Sequence, residues 1–431
     1  MPGIASPTVS NPASSARKTL LLPFILVTSL FFFWGFIHNI DPILLAHLRK
    51  TFRLNVVESS LVDFSVFIAY FAMALPAGYI MRKYGYKAGI LLGLILFAGG
   101  CFLFLPAAST RTYALFLGAL FVIASGLTFL ETAANPYATV LGPPESATQR
   151  LNLAQSFNGL ATVVAPLIGG KLILSGTAHT DEELAAMSAV AREAYFQSEA
   201  DSVKMPYLIL GLIILTVAVI FAFAKMPDTK EDNAGESKSF LHAFKYKHLT
   251  GAVIAQFFYV GAQVCVTSFF IVIVTKAAGI NEKRAAEFLG YGYGIAFMAG
   301  RFIGTFVMRY IQPQKLLTIY SIINILLSVV VIFAEGMAVV YALIGIGFFM
   351  SIMFPTIFSL GIHGLGADTK LGSSLIIMSI VGGAALPFAL GGISDATGNI
   401  QYGYLIPLVC FVVVAWYGWK GYKVKPLPAA A

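Results

Sequence analysis

Twelve long apolar runs separated by short polar loops constrain this chain more than any other feature. A helix needs roughly 20 apolar residues to cross the hydrocarbon core of a bilayer, and in lipid only helices and closed barrels satisfy every backbone donor and acceptor internally. The runs lie near residues 19–48, 57–81, 88–107, 112–141, 151–175 and 206–225, then 249–278, 285–311, 316–334, 338–364, 372–393 and 402–422. The first follows Arg17 and Lys18 without a small-residue cleavage pattern, so it is expected to stay as a membrane helix. Residues 1–16, rich in Ser, Pro and Ala, read as a disordered tail. The composition is 58% hydrophobic and 11% charged, against about 45–50% and 25% in soluble domains. An all-α integral membrane protein with twelve transmembrane helices is expected.

Residues 227–247 carry Lys230, Glu231, Asp232, Glu236 and Lys238 and are too polar to cross a bilayer. They read as a linker between two six-helix halves, residues 1–226 and 248–431. Echoes of a duplication support this division. Gly78, Met81 and Arg82 close the second run as Gly304, Met308 and Arg309 close the eighth, and Pro136 and Gly142 match Pro355 and Gly361. Parallel repeats joined by a polar loop place a substrate site between the halves, near mid-membrane. Lys and Arg are in excess in the loops on the N-terminal side, which places both termini in the cytoplasm. The net charge of +8 is therefore a topology signal, and without a basic repeat it gives no reason to expect nucleic acid. Cys101, Cys265 and Cys410 sit in three different runs without CxxC spacing, so neither a disulfide framework nor a metal site is expected, and no cofactor is called for. The loop 176–204 is acidic with an Ala-rich centre, which suggests a surface helix without chemistry.

One polar stretch, residues 130–159, is set between apolar runs. Glu131 follows about twenty mostly apolar residues, where an ionisable group costs roughly 2.5 kcal/mol or more. Asn135 shares its helical face four residues on, and Pro136 removes a backbone donor and can kink the segment. Past the Gly142-Pro143-Pro144 turn, Asn152, Gln155 and Asn158 recur every three residues along one stripe. Such amides either offer donors and acceptors to a ligand or bind neighbouring helices together.

Other intramembrane polar groups are candidates for the same chemistry. Asp41 lies three residues after His38 in the first run, and Asp63 lies about six residues into the second. A buried carboxyl or an imidazole titrates near physiological pH and can carry a proton; Asp41, just before Pro42, also fits a hydrated helix break, and Asp63 an interfacial position. In the seventh run Gln256, Tyr259 and Gln263 form a second polar stripe that, facing the first, suits one small polyol.

Seven stretches carry a resemblance: LFFFWGF (30–36), LPAGYIMRKYGYKAG (75–89), LETAANPYATVLGP (130–143), RLNLAQSFN (150–158), QFFYVGAQ (256–263), GRFIGT (300–305) and PTIFSLGI (355–362). Through them the chain resembles the fucose:proton symporter family of the major facilitator superfamily over nearly its whole length. The resemblance implies the major facilitator fold in a bacterial inner membrane and uptake of a monosaccharide with a proton, with Glu131 matching the family's embedded glutamate and Asn158 a sugar-contacting asparagine. A monomer is expected. The chain departs from the family in four places. Asp41 stands one position early, Met81-Arg82-Lys83 replaces an inner-loop acid, Met353-Phe354 stands for Gln-Tyr, and Thr267 for an indole. Three alternatives stay open at this point. Asp41, Asp63 and Glu131 also suit a sodium ion, a passive uniporter or drug exporter tolerates the carboxyls, and a membrane enzyme would need acids and metal ligands clustered in an aqueous loop.

Overall fold

A computed structural model of the chain describes residues 12–52, 56–173, 181–227 and 245–424. The helices of the first half are α1 (Pro12–Phe52), α2 (Val56–Ser109), α3 (Tyr113–Val140), α4 (Ala147–Ile173), the short α5 (Asp181–Ala186) and α6 (Ala189–Asp201), and α7 (Lys204–Phe223). The second half comprises α8 (Lys247–Ala278), α9 (Glu282–Glu287), α10 (Ile295–Val307), α11 (Pro313–Phe333), α12 (Met337–Met350), α13 (Met353–Ile362), α14 (Thr369–Met378), α15 (Gly382–Thr397) and α16 (Leu405–Trp416). Each of the twelve expected runs is helical over most of its length. Among the described residues nine stretches are long and apolar enough to span a membrane, and one of them, Phe64–Ser109, holds two expected runs. Its two helices part at Gly85, whose φ of 85° only glycine adopts without strain. Of the expected disordered tail, residues 12–16 are helical as the start of α1; the rest of it and most of the linker lie outside the described residues. The Ala-rich loop forms α6, capped by Ser188, whose Oγ accepts from the Ala191 amide at 3.2 Å.

The second half is more interrupted than its apolar runs suggest. A π-helical turn, Phe288–Gly294, separates α9 from α10, Ser351 and Ile352 separate α12 from α13, and a 3₁₀ turn, Ser379–Val381, divides α14 from α15. The middle break has a clear chemical cause. Pro355 has no amide hydrogen, so the Ser351 carbonyl four residues earlier loses its helical donor.

The halves pack within themselves and meet where α4 touches α10 and α13 and where α14 touches α2 and α3. Close approach depends on missing side chains: a Cβ on Gly78 of α2 would lie 1.9 Å from Ser374 Oγ of α14. These contacts involve the end of α3, the start of α4, the ends of α10 and α13 and the start of α14. They therefore cluster at the end of the bundle from which the linker leaves.

Candidate functional site

Three helices of the first half bring a titratable group each to one point. Glu131 on α3 is buried, 5% exposed. Its Oε1 accepts from the Tyr70 hydroxyl of α2 at 2.5 Å, and the same hydroxyl lies 2.9 Å from His38 Nε2 of α1. His38 Nε2 is 3.8 Å from Glu131 Oε1, and the imidazole side chain is 35% exposed while the carboxylate is nearly enclosed. A phenol has one hydrogen. When Tyr70 donates to Glu131, its oxygen must accept from a protonated His38 Nε2; when the carboxyl holds the proton and donates, Tyr70 can donate to His38. The two arrangements differ by a proton moved across the tyrosine, between a half-exposed base and a buried acid. Asp41 and Asp63 lie on α1 and α2, but their side chains are outside the described residues.

From Glu131 a chain of amides leads into the second half. Asn135 Nδ2 donates to the Glu131 carbonyl at 2.8 Å, and Gln155 Nε2 donates to Asn135 Oδ1 at 2.9 Å. Arg301 of α10 then closes the interface. Its Nη1 donates to the Gln155 carbonyl at 2.5 Å, to Gln155 Oε1 at 3.3 Å and to Asn158 Oδ1 at 3.2 Å. Its Nε donates to Ser351 O at 2.9 Å, the carbonyl freed by Pro355, and its guanidinium lies over the Phe297 ring at 4.7 Å. Among the described residues Arg301 meets no carboxylate, although only 4% of it is exposed. A buried charge needs many oxygens when it lacks a counter-ion, and here four supply it.

A matching device operates in the first half. Pro136 frees the Thr132 carbonyl, and Ser373 Oγ of α14 donates to it across the interface at 2.7 Å. Asn152 Nδ2 reaches Thr356 Oγ1 of α13 at 3.2 Å as well as Thr148 O. Thr148 and Ser359 share a hydroxyl bond of 2.8 Å, Gln149 donates to Thr305 O at 3.3 Å, and Lys370 Nζ lies 5.1 Å over the Tyr86 ring.

The direct partners that the second half supplies to the α4 amides are thus Arg301 and Thr356. On α8, Gln256 is fully buried and, among the described residues, both its amide atoms are unmet, as are the buried hydroxyls of Tyr259 and of Tyr293 on the π turn and Asn152 Oδ1. Buried polar atoms without partners are uncommon and mark places for water or ligand. Gln263 is half-buried, and its carbonyl accepts from Thr267 Oγ1 at 3.0 Å. Sequence reasoning passed over Tyr70, Arg301 and Ser373. Arg301 carried a signal, being a cation inside an apolar run; a tyrosine and a serine among many carried none.

The Major Facilitator Superfamily profile matches residues 24–370. The chain is 45% identical over 413 residues to a glucose/galactose transporter of Brucella abortus, covering 95% of this chain and 96% of that one. It is 42% identical over 414 residues to the L-fucose-proton symporter of Escherichia coli, covering 94% of each. Among solved structures it superposes on FucP, a Major Facilitator Superfamily transporter in the outward conformation, with a TM-score of 0.87 at 42% identity, over 93% of this chain and 99% of that one. The fold, the polar stretches inside it and these similarities agree that the chain belongs to the Major Facilitator Superfamily and, within it, to the fucose:proton symporter family.

Proposed function

We propose that this protein imports a monosaccharide of the glucose, galactose or fucose type together with a proton, by alternating access of one site between residues 1–226 and residues 248–431. Relatives bearing those names support the substrate class. The observation that carries the coupling is the His38–Tyr70–Glu131 relay. A proton arriving on the half-exposed imidazole moves from Nε2 to the Tyr70 oxygen while the phenolic proton passes to Glu131 Oε1, so the buried carboxyl becomes neutral and the imidazole returns to neutrality. A neutral carboxyl tolerates burial that a carboxylate resists, and this difference lets loading of the proton decide which rearrangement is accessible. Asn135, Asn152, Gln155 and Asn158 line the sugar site from the first half, with Gln256, Tyr259 and Gln263 from the second; Asp41 and Asp63 remain candidates for assisting Glu131.

Both termini and the linker end lie in the cytoplasm of a bacterial inner membrane, by the Lys and Arg excess. The bonds between halves gather at that end, so the conformer described here is closed to the cytoplasm. One elementary charge moving through 100 mV supplies about 2.3 kcal/mol, enough for roughly fifty-fold accumulation of sugar. The deciding experiment loads proteoliposomes at neutral pH and dilutes them into acidic, sodium-free buffer with labelled glucose, galactose or fucose. Accumulation that a protonophore collapses is expected. Accumulation that appears only after sodium is added, or for none of the three sugars, refutes the reading.

A further inference from the structure

We propose that Arg301 is a positioning residue that orients the Gln155 and Asn158 amides so that their NH₂ groups, not their oxygens, are turned away from it as donors for the sugar. The inference rests on the sugar-symport reading above. An amide side chain is ambidextrous, with a carbonyl that accepts and an NH₂ that donates, whereas a guanidinium only donates. Arg301 Nη1 therefore claims the oxygens: Gln155 Oε1 at 3.3 Å and Asn158 Oδ1 at 3.2 Å. Turning either amide over would set an NH₂ against a cation. With its oxygen held, Gln155 spends one hydrogen of Nε2 on Asn135 Oδ1 at 2.9 Å. Asn158 is half-buried, and its Nδ2 lies where Gly35 of α1 lacks a side chain, 2.7 Å from the place a Cβ would take.

The arginine cannot drift, because the parts around it are themselves fixed. Its Nε is held by Ser351 O at 2.9 Å, a carbonyl available because Pro355 cannot use it. Gly300 lets α10 approach closely enough for this: a Cβ there would stand 2.3 Å from Phe348 O. Phe297 covers one face of the guanidinium at 4.7 Å. A hydroxyl that meets the NH₂ hydrogens of these oriented amides must then act as acceptor, whatever its own hydrogen does elsewhere.

The test uses full-length purified protein in detergent and isothermal titration with D-glucose, D-galactose and L-fucose. The tightest binder is followed by its monodeoxy and monodeoxyfluoro analogues, since fluorine accepts weakly and never donates. At the hydroxyl facing the amides the deoxy analogue is expected to bind about tenfold more weakly, and the fluoro analogue to stay within about threefold of the parent. Arg301→Gln, which leaves the amides free to turn, is expected to erase that contrast, an effect that loss of stability alone does not produce. Asn158→Asp keeps an acceptor for Arg301 and deletes the donor; it is expected to weaken the parent sugar by about tenfold or more with thermal unfolding preserved. If Arg301→Gln fails to fold, the wild-type analogue series and Asn158→Asp decide. A fluoro analogue as weak as the deoxy one at every position, wild-type contrast in Arg301→Gln, or wild-type affinity in Asn158→Asp overturns the inference while leaving sugar symport standing. Absence of binding by all three sugars overturns the functional reading and this inference with it.

Discussion

Ser373→Ala removes one hydroxyl, and its consequence follows from a carbonyl. Thr132 O has no helical donor because Pro136 occupies the position four residues on, and Ser373 Oγ supplies the donor from the other half at 2.7 Å. Both residues are fully buried. In the variant the carbonyl is left unmet wherever α3 and α14 stay in contact, a penalty of about 1–3 kcal/mol. When the halves part at the linker end, water reaches Thr132 O in wild type and variant alike, so the whole penalty falls on the closed conformer. The equilibrium between the two conformers shifts by roughly five- to 150-fold. Local relaxation of α14 by a few tenths of an ångström favours the lower end of that range. Double electron–electron resonance between labels at Tyr84→Cys and Tyr310→Cys reads the separation directly. Both positions are exposed at the linker end, and Cys101, Cys265 and Cys410 are buried and do not compete for label. The variant is expected to gain a long-distance population. Ser374→Ala is the control, because among the described residues Ser374 Oγ bonds only Lys370 O of its own helix, at 3.0 Å. Distance distributions for Ser373→Ala that match both wild type and Ser374→Ala refute the reasoning.

Three further outcomes are expected. Glu131→Gln abolishes proton-driven accumulation while sugar exchange persists, and Tyr70→Phe, which leaves His38 and Glu131 3.8 Å apart without a hydroxyl between them, lowers accumulation by about tenfold or more; radiolabelled uptake in proteoliposomes equal to wild type in both would place coupling elsewhere. Gly300→Ala puts a Cβ 2.6 Å from Ser351 Oγ and 2.3 Å from Phe348 O, so α10 must withdraw from α12 at about 1–3 kcal/mol, read as a lower Tm together with weaker sugar binding. Tyr246 donates to Asp368 at 2.9 Å, and burial followed by that hydrogen bond pushes its hydroxyl from an ordinary 10 to about 12. A raised folded-state value means that the contribution is complete below pH 10 and is lost as pH rises through about 12, so Tm should fall more steeply over that window in wild type than in Tyr246→Phe.

The sequence made the membrane class and the run boundaries legible because spanning length and apolarity are one-dimensional properties. Glu131, Asn135, Gln155 and Asn158 were legible for the same reason, as polar groups where lipid-facing positions forbid them. What could not be read was which helices meet. Tyr70 means little as one of 19 tyrosines until α1, α2 and α3 converge on it. The two polar stripes of α4 and α8 gave no hint that α10 and α13 would set Arg301 and Thr356 directly against the α4 amides. The interruptions of the second half were hidden as well: the glycines at 290, 292 and 294 permit a π turn without requiring one.

The internal repeat shows where sequence symmetry stops and physical asymmetry begins. Pro136 and Pro355 match in the repeat read from the sequence, and each frees a carbonyl that the interior must satisfy. Thr132 O takes its donor from across the interface, from Ser373, whereas Ser351 O takes it from Arg301 of its own half. The first choice makes a bond that must break whenever the halves part at the linker end. The second makes a bond that survives, so Arg301 travels with α12 and α13, and only its contacts to Gln155 and Asn158 are surrendered in the opposite conformer. Parting of the halves therefore strips the amides of the group that orients them. For the sugar site and orientation proposed above, the donor geometry is lost as the site turns toward the linker end, which would favour release of sugar there without any change in the residues that line it.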